Sequence, residues 1–357
     1  MKILTIVGTR PELIRLSRII PLLDKHCEHV LLHTGQNYDY QLNEVFLKEL
    51  GIRKPNYLLS SRAKGAAEQI GKILSGCDKI IKKEKPDKVL ILGDTNSGLS
   101  ALIAKRHGIR VYHMEAGNRC FDNIVPEEIN RKIIDSLSDV LLPYTERSRT
   151  NLLLDGYAPG KIFVTGNPIY EVLKYYDKRI DGSKILQKLK VKDKKFFLVT
   201  LHRSENVEFK DKLQEFVSAL NEIHLKYNIP IVFSVHPHTR AQLEKWKIEV
   251  GIGIKMIKPL GFFDFIKLEK KALCVLSDSG TVPEECSIFH VPNMILRDAT
   301  ERPEILEAGA SYVSGANFDS IMRGVDYLLS SKGQWRAPAE YLVENVSEKI
   351  ARFLLQK

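Results

Sequence analysis

The stretch "MEAGNRCFDNIVPEEINRKIIDSLSD" sets Glu115, Asp122, Glu127 and Glu128 close together, with Arg119, Arg131 and Lys132 among them. Carboxylates held in fixed positions take protons from carbon or return them. Two further segments have the same character. "LGDTNS" puts Asp94 at the end of the apolar run Lys88–Leu92, and "HMEAGNR" puts Glu115 at the end of another. "VPEEINR" opens a helix with Glu127 and Arg131 at i and i+4. By itself that spacing reads as a helix-stabilising ion pair, worth about 0.2–0.5 kcal/mol. Three carboxylates (Asp94, Glu115 and Glu127) at the strand and helix ends of one sheet suggest more: a base for removing a proton from carbon and an acid for returning it.

Other segments are suited to anions. In "GTRPE", Gly8 permits a tight turn, the following helix N-terminus favours negative charge, and Arg10 adds a guanidinium suited to phosphate. There is no G-x-G-x-x-G, so a nicotinamide cofactor is not expected. "LHRSEN" presents His202, Arg203 and Glu205, and "VHPHTR" presents His236, His238 and Arg240. Each lone histidine reads equally well as a satisfied core residue, and without an H-x-x-x-H pair no metal is expected. "SDSGTVPEECS" is the strongest motif. Its Ser279, Gly280 and Thr281 lie where a strand gives way to a helix, an arrangement whose N–H groups and hydroxyls cradle a diphosphate. Glu285, about one turn on, suits a ribose diol, and Arg302 in "RDATERPE" suits a second phosphate contact.

These residues require strands that end together. Short apolar runs at 3–7, 29–33, 88–92, 140–142 and 162–164 alternate with amphipathic segments such as "RPELIRLSRIIPLLDKH" and "AAEQIGKILSGCDKIIKKE". The alternation restarts at 195–201, 231–236, 273–277 and 293–296, after the polar segment "YYDKRIDGSKILQKLKVKDKK". The pattern predicts an α/β chain of two doubly wound, Rossmann-like domains facing a cleft. The domains are placed at residues 1–168 and 169–342, with a closing amphipathic helix at 343–357. A length of 357 residues and 44% hydrophobic composition fit two such cores. No run approaches the roughly 18 apolar residues of a membrane span. "MKILTIVGTRPE" reads as a first strand and not as a signal peptide. The five scattered cysteines read as reduced thiols of a cytoplasmic protein. The net charge of +10 is spread over solvated helix faces without interleaved aromatics, so neither nucleic acid nor membrane is an expected partner.

"GTRPE", "GDT", "MEAG", "PEEINR", "TERS", "VTGNP", "DSG…EE" and "TERPE" occur in an order and spacing that resembles the non-hydrolysing UDP-N-acetylglucosamine 2-epimerase family. The resemblance covers nearly the whole chain. It implies the two-domain arrangement of GT-B glycosyltransferases, with the closing helix returning to the first domain and such a transferase as the alternative activity. It also implies C2 inversion by loss and re-addition of UDP through a 2-acetamidoglucal, a UDP-sugar substrate, no cofactor and a homodimer. Residue by residue, Asp94, Glu115 and Glu127 match the acid–base groups, and Arg131 and His202 match residues important for catalysis. Arg10, His202, Ser279, Gly280 and Arg302 match diphosphate contacts, and Glu285 a ribose contact. "KPLGFFDF", with Phe263, matches the stretch around uracil, and His236 joins the substrate-binding set. Arg15 stands where many members have Lys at a sugar contact, and Thr281 replaces a usual Gly. The family's second nucleotide-sugar site falls on "TGQNYDYQLNEVF" and "SSRAKGAAEQI", which do not match it residue by residue. "RLSRII", "HMEAGNRCFD" and "SDSGT" resemble the capsule and O-antigen subgroup, which forms UDP-N-acetyl-L-fucosamine from its 6-deoxy-L-talose epimer.

Overall fold

The computed structural model describes residues 1–36, 40–123, 125–331 and 334–356, with the side chains of 40–43 also left out. Two compact units emerge. The first holds Met1–Tyr175 and Ala339–Lys357, and the second holds Tyr176–Pro338.

The first unit is built on β1 (Lys2–Val7), β2 (Glu28–His33), β3 (Tyr57–Leu58), β4 (Lys88–Leu92), β5 (Arg110–Met114) and β6 (Val140–Leu142). They form one parallel sheet in the order β3-β2-β1-β4-β5-β6. The second unit has β7 (Phe197–Leu201), β8 (Ile231–Val235), β9 (Ile254–Ile257), β10 (Cys274–Ser277), β11 (Asn293–Ile295) and β12 (Ser311–Val313). Its order is β12-β11-β10-β7-β8-β9. Each sheet reverses winding once, between β1 and β4 and between β7 and β10, and such switch points are where doubly wound sheets hold ligands. The central strands are continuous apolar runs, as in the fully buried "KVLIL" of β4, because helices cover both faces.

Three departures from the sequence reading have physical causes. The run 162–164 does not form a strand; Ile162 makes only an isolated bridge to Leu141. The strands β3, β9 and β12 are two to four residues long, too short for a periodic signal. The segment expected as one helix after β1 is two, Arg10–Leu16 and Ile19–His26. Pro21 explains the break. In a continuous helix it would have to donate an N–H to Ser17, whereas in the first turn of a new helix no donor is needed.

The helix Ala66–Glu84 coincides with the amphipathic segment read from the sequence. The closing helix Val346–Leu355 belongs to the first unit, where the Ser347 N–H donates to Glu171 Oε2 at 2.8 Å. The ammonium of Lys88, buried at the start of β4, donates to the Leu354 carbonyl at 2.8 Å and to that of Gln356. A cation therefore caps the negative end of that helix. All five cysteines are free. Among the described residues no helix is long and apolar enough to cross a membrane.

Candidate active site

In the first unit β4 and β5 are neighbours in register, with Leu92 opposite Met114, so the loops carrying Asp94 and Glu115 leave the sheet side by side. Gly93 turns the chain at φ +76°, and a Cβ there would lie 3.5 Å from Glu115 Oε2. The Glu115 carboxylate thus reaches back to the start of the Asp94 loop. Glu115 itself has φ +67°, a left-handed conformation that costs a non-glycine residue about 1–3 kcal/mol and that surrounding structure must enforce. The enforcement is visible. Asn118 Nδ2 donates to Glu115 Oε1 at 3.2 Å. Beneath the loop, buried Asp135 accepts from the Gly117 N–H at 3.2 Å and from Arg119 at 2.8 Å, and it sits 2.8 Å from His113 Nδ1. The other nitrogen of His113 lies 2.9 Å from the Gly93 carbonyl, so one buried network pins both loops.

The helix Pro126–Leu137 closes on the Asp94 loop. Arg131 reaches Asp94 Oδ2 through Nε at 3.1 Å and Nη2 at 2.5 Å, and Asn130 Nδ2 donates to the Asp94 carbonyl at 2.9 Å. The sequence reading paired Arg131 with Glu127. The structure directs Nη1 to Glu128 Oε2 at 2.8 Å. The reason is helical phase: Glu128, Arg131 and Asp135 share the buried stripe, whereas Glu127 lies about 100° round the helix and is partly exposed. That i, i+3, i+7 stripe was present in the sequence and would have singled out Glu128.

The β1 loop differs from its sequence reading. The Glu12 carboxylate already occupies the N-terminus of the helix Arg10–Leu16, accepting from the Gly8 N–H at 2.5 Å, the Thr9 N–H at 2.8 Å and the Thr95 hydroxyl at 2.7 Å. The Gly8 and Thr9 N–H groups of this turn are thus taken up by the chain's own anion. Glycine at position 8 answers to space, since a Cβ would lie 2.0 Å from Ser97 Oγ. Burial pushes the Glu12 carboxyl up to about 7, against the donors that hold it down. Through Thr95, Glu12 ties the Arg10 turn to the loop of Asp94. Arg10 is partly exposed, its guanidinium 5.7 Å from the Phe46 ring centre, whereas Arg15 is buried inside the unit. The stretch expected to hold a second nucleotide sugar lies in part outside the described residues, at 37–39 and the side chains of 40–43.

In the second unit the switch-point loops follow β7 and β10. Asp278 organises both. It is fully buried, and its carboxylate accepts from the N–H groups of His202 at 3.0 Å and Arg203 at 2.9 Å and from Asn206 Nδ2 at 3.2 Å. It also lies 3.0 Å from His202 Nδ1, which leaves Nε2 of that partly exposed ring for another partner. Burial alone would raise the Asp278 pKa, but the His202 charge and these hydrogen bonds together hold it below the usual carboxylate range. Sequence reading missed this residue, although its place directly after a strand was the signal. Ser279, Gly280 and Thr281 follow, partly exposed, at the start of the helix Val282–Phe289, with the two hydroxyls 3.3 Å apart. A Cβ on Gly280 would lie 2.6 Å from Glu301 Oε1, so a larger residue there would have to displace that carboxylate. His236 caps the helix Pro237–Lys245 after β8.

Three expected ligand contacts sit deeper. Arg302 is buried with its Nε 2.5 Å from Glu284 Oε1. Glu285 is buried beside Glu269, whose carboxyl is pushed well above its ordinary range by burial and then by Glu285. The Phe263 ring packs against Tyr176 at 5.5 Å, with the Arg179 guanidinium over it at 4.4 Å. Among the described residues no set of three His, Cys, Asp or Glu side chains is placed to hold a metal ion.

A family model described as UDP-N-acetylglucosamine 2-epimerase matches residues 23–355. The chain is 40% identical over 348 residues to a UDP-N-acetylglucosamine 2-epimerase of Methanocaldococcus jannaschii, covering 95% of each protein. It is 35% identical over 327 residues to a UDP-2,3-diacetamido-2,3-dideoxy-D-glucuronate 2-epimerase of Pseudomonas aeruginosa, covering 90% of each. A crystal structure of a Methanocaldococcus jannaschii UDP-GlcNAc 2-epimerase in complex with UDP-GlcNAc and UDP superposes with a TM-score of 0.94 at 40% identity, covering 99% of both chains. With the two doubly wound sheets and the loops they present, these likenesses show that the chain belongs to the UDP-N-acetylglucosamine 2-epimerase family, a family of isomerases.

Proposed function

We propose that this protein inverts C2 of a UDP-2-acetamido sugar, UDP-N-acetylglucosamine or a close relative, by eliminating and re-adding UDP. The observation that carries this reading is the pair Asp94 and Glu115 on adjacent strand ends, with the Arg131 helix closing on them and Glu127 in its first turn. In the forward half, a carboxylate takes the C2 proton while the C1–O bond breaks and its electron pair leaves with UDP, giving the 2-acetamidoglucal. In the return, a carboxylic acid delivers a proton to the opposite face of C2 and UDP oxygen re-bonds to C1. Asp94, Glu115 and Glu127 are assigned to these transfers, since two faces need two groups. His202, Ser279, Gly280 and Thr281 are assigned to retaining the diphosphate, because helix N-terminal N–H groups and an oriented imidazole favour an anion. Arg10 is assigned to the same ligand as an accessible cation. Membership of this family supports a homodimer.

The two relatives named above differ in the sugar their names carry, and both names specify a 2-epimerase. The subgroup stretches in the sequence favour the 6-deoxy-L-talose sugar, with UDP-N-acetyl-L-fucosamine as product and polysaccharide precursor synthesis as the setting. Incubation with a panel of UDP-2-acetamido sugars in deuterated water tests both parts. The preferred sugar turns over fastest, and product and recovered substrate gain deuterium at C2. Turnover without label at C2 overturns the elimination route, and preference for UDP-N-acetylglucosamine overturns the 6-deoxy assignment.

A further inference from the structure

Glu128 is 0% exposed, yet nothing in the chemistry proposed above uses it. Its Oε2 accepts from Arg131 Nη1 at 2.8 Å and from the Cys120 N–H at 3.0 Å, with Cys120 Sγ at 3.4 Å. Lys132 Nζ lies 3.5 Å from Oε1. Burial pushes the Glu128 carboxyl up, but these partners outweigh it and hold the group below its ordinary range, so it stands as a carboxylate. Arg131 is buried too and divides its fork between two acids, Nη1 to Glu128 and Nε with Nη2 to Asp94. A guanidinium is planar and rigid, so a partner on one edge fixes the direction of the other.

We infer that Glu128 is a positioning residue: its buried carboxylate locks the Arg131 guanidinium in the one orientation that grips Asp94. The Cys120 N–H extends the same lock to the loop after Glu115, so the Asp94 and Glu115 loops share one anchor. The inference rests on the reading of Asp94 as a proton-transfer group. It also means that Glu128 is no inert neighbour of Glu127, although sequence reasoning assigned it no role.

The test uses Glu128→Gln in the full chain, with Glu128→Asp, which keeps the charge and retracts the carboxylate, taking its place if the amide variant fails to fold. Crystal structures of the variant and the wild type report whether Arg131 still grips Asp94, a readout independent of activity. The expected result is that the guanidinium swings away from Asp94 and that kcat falls at least about tenfold with KM nearly unchanged, as a displaced catalytic group costs up to about 10²-fold. In an Arg131→Met background the Glu128 change is expected to add nothing, because both act through one ion pair. An Arg131 still on Asp94, a normal kcat once Arg131 has released Asp94, or additive effects each overturn the inference. Asp94→Asn is assayed alongside. If it turns over normally, the reading of Asp94 fails, while the crystal structures still decide whether Glu128 holds Arg131.

Discussion

Glu115 and Glu127 are where solvated charge and proton transfer make opposite predictions. A surface Glu→Gln change is usually within about 0.5 kcal/mol in stability and leaves rate unaffected. If these carboxylates move protons, Glu115→Gln and Glu127→Gln are expected to lower kcat by about 10²-fold or more while UDP binding persists, read by steady-state kinetics and calorimetry. Glu127→Gln leaves the Arg131–Glu128 and Arg131–Asp94 pairs in place, so its effect reports on Glu127 itself. Arg302 needs a different expectation from the one its motif invites. Because its Nε is committed to buried Glu284, Arg302→Ala removes the cation from that buried pair. The expected cost is about 3–5 kcal/mol of stability by denaturant unfolding, as for other broken buried pairs. A stable variant that has only lost UDP affinity would return Arg302 to the diphosphate.

At the scale of elements, the closing helix Val346–Leu355 depends on a strand residue far away in the chain. Lys88 satisfies carbonyls at its C-terminal end. Lys88→Met keeps most of the apolar stem and removes the donors. It is expected to cost about 1.5–3 kcal/mol by urea unfolding, with faster hydrogen exchange in the helix, since hydrogen bonds to charged groups carry that much. An unchanged midpoint would show that packing alone holds the helix. The existence of this helix was legible in "VENVSEKIARFLLQK", because amphipathic periodicity is local. Its capping lysine was not, because Lys88 and Leu354 are 266 positions apart.

At the scale of the molecule, two buried groups of the first unit respond to pH in opposite directions. Glu12 is raised to about 7 by burial, so its folded form prefers the proton. Its contribution is fully present below pH 4.5 and is lost as pH rises through about 7. His33 is lowered to about 4 by burial, so its folded form prefers to be neutral. Its contribution is fully present above pH 6.5 and is lost as pH falls through about 4. Each is worth on the order of 3 kcal/mol, at about 1.4 kcal/mol per pKa unit. Over their shared window the two slopes oppose, and this pair leaves stability nearly flat. Glu12→Gln is therefore expected to make stability fall on acidification below pH 6.5, and His33→Gln to make it fall on alkalinisation above pH 4.5, measured by urea midpoints across pH. Parallel pH curves for both variants would show that neither group titrates as its burial implies.

The amino-acid order alone carried what is local in origin. Buried parallel strands read as apolar runs, and helices read through their period. Polar groups at strand ends read as a site, because doubly wound sheets bring those ends to one edge. The places of Asp94, Glu115, His202 and Ser279 just past β4, β5, β7 and β10 were legible in this way. Packing settled which of these groups hold one another. Arg131 holds Glu128 and Asp94, because helical phase buries Glu128 within reach of its fork. The Gly8 turn took in the chain's own Glu12, and Asp278 became the anchor of His202. Partner choice among charged residues depends on burial and on distances of a few ångströms between segments far apart in the chain, and only the packed fold sets these.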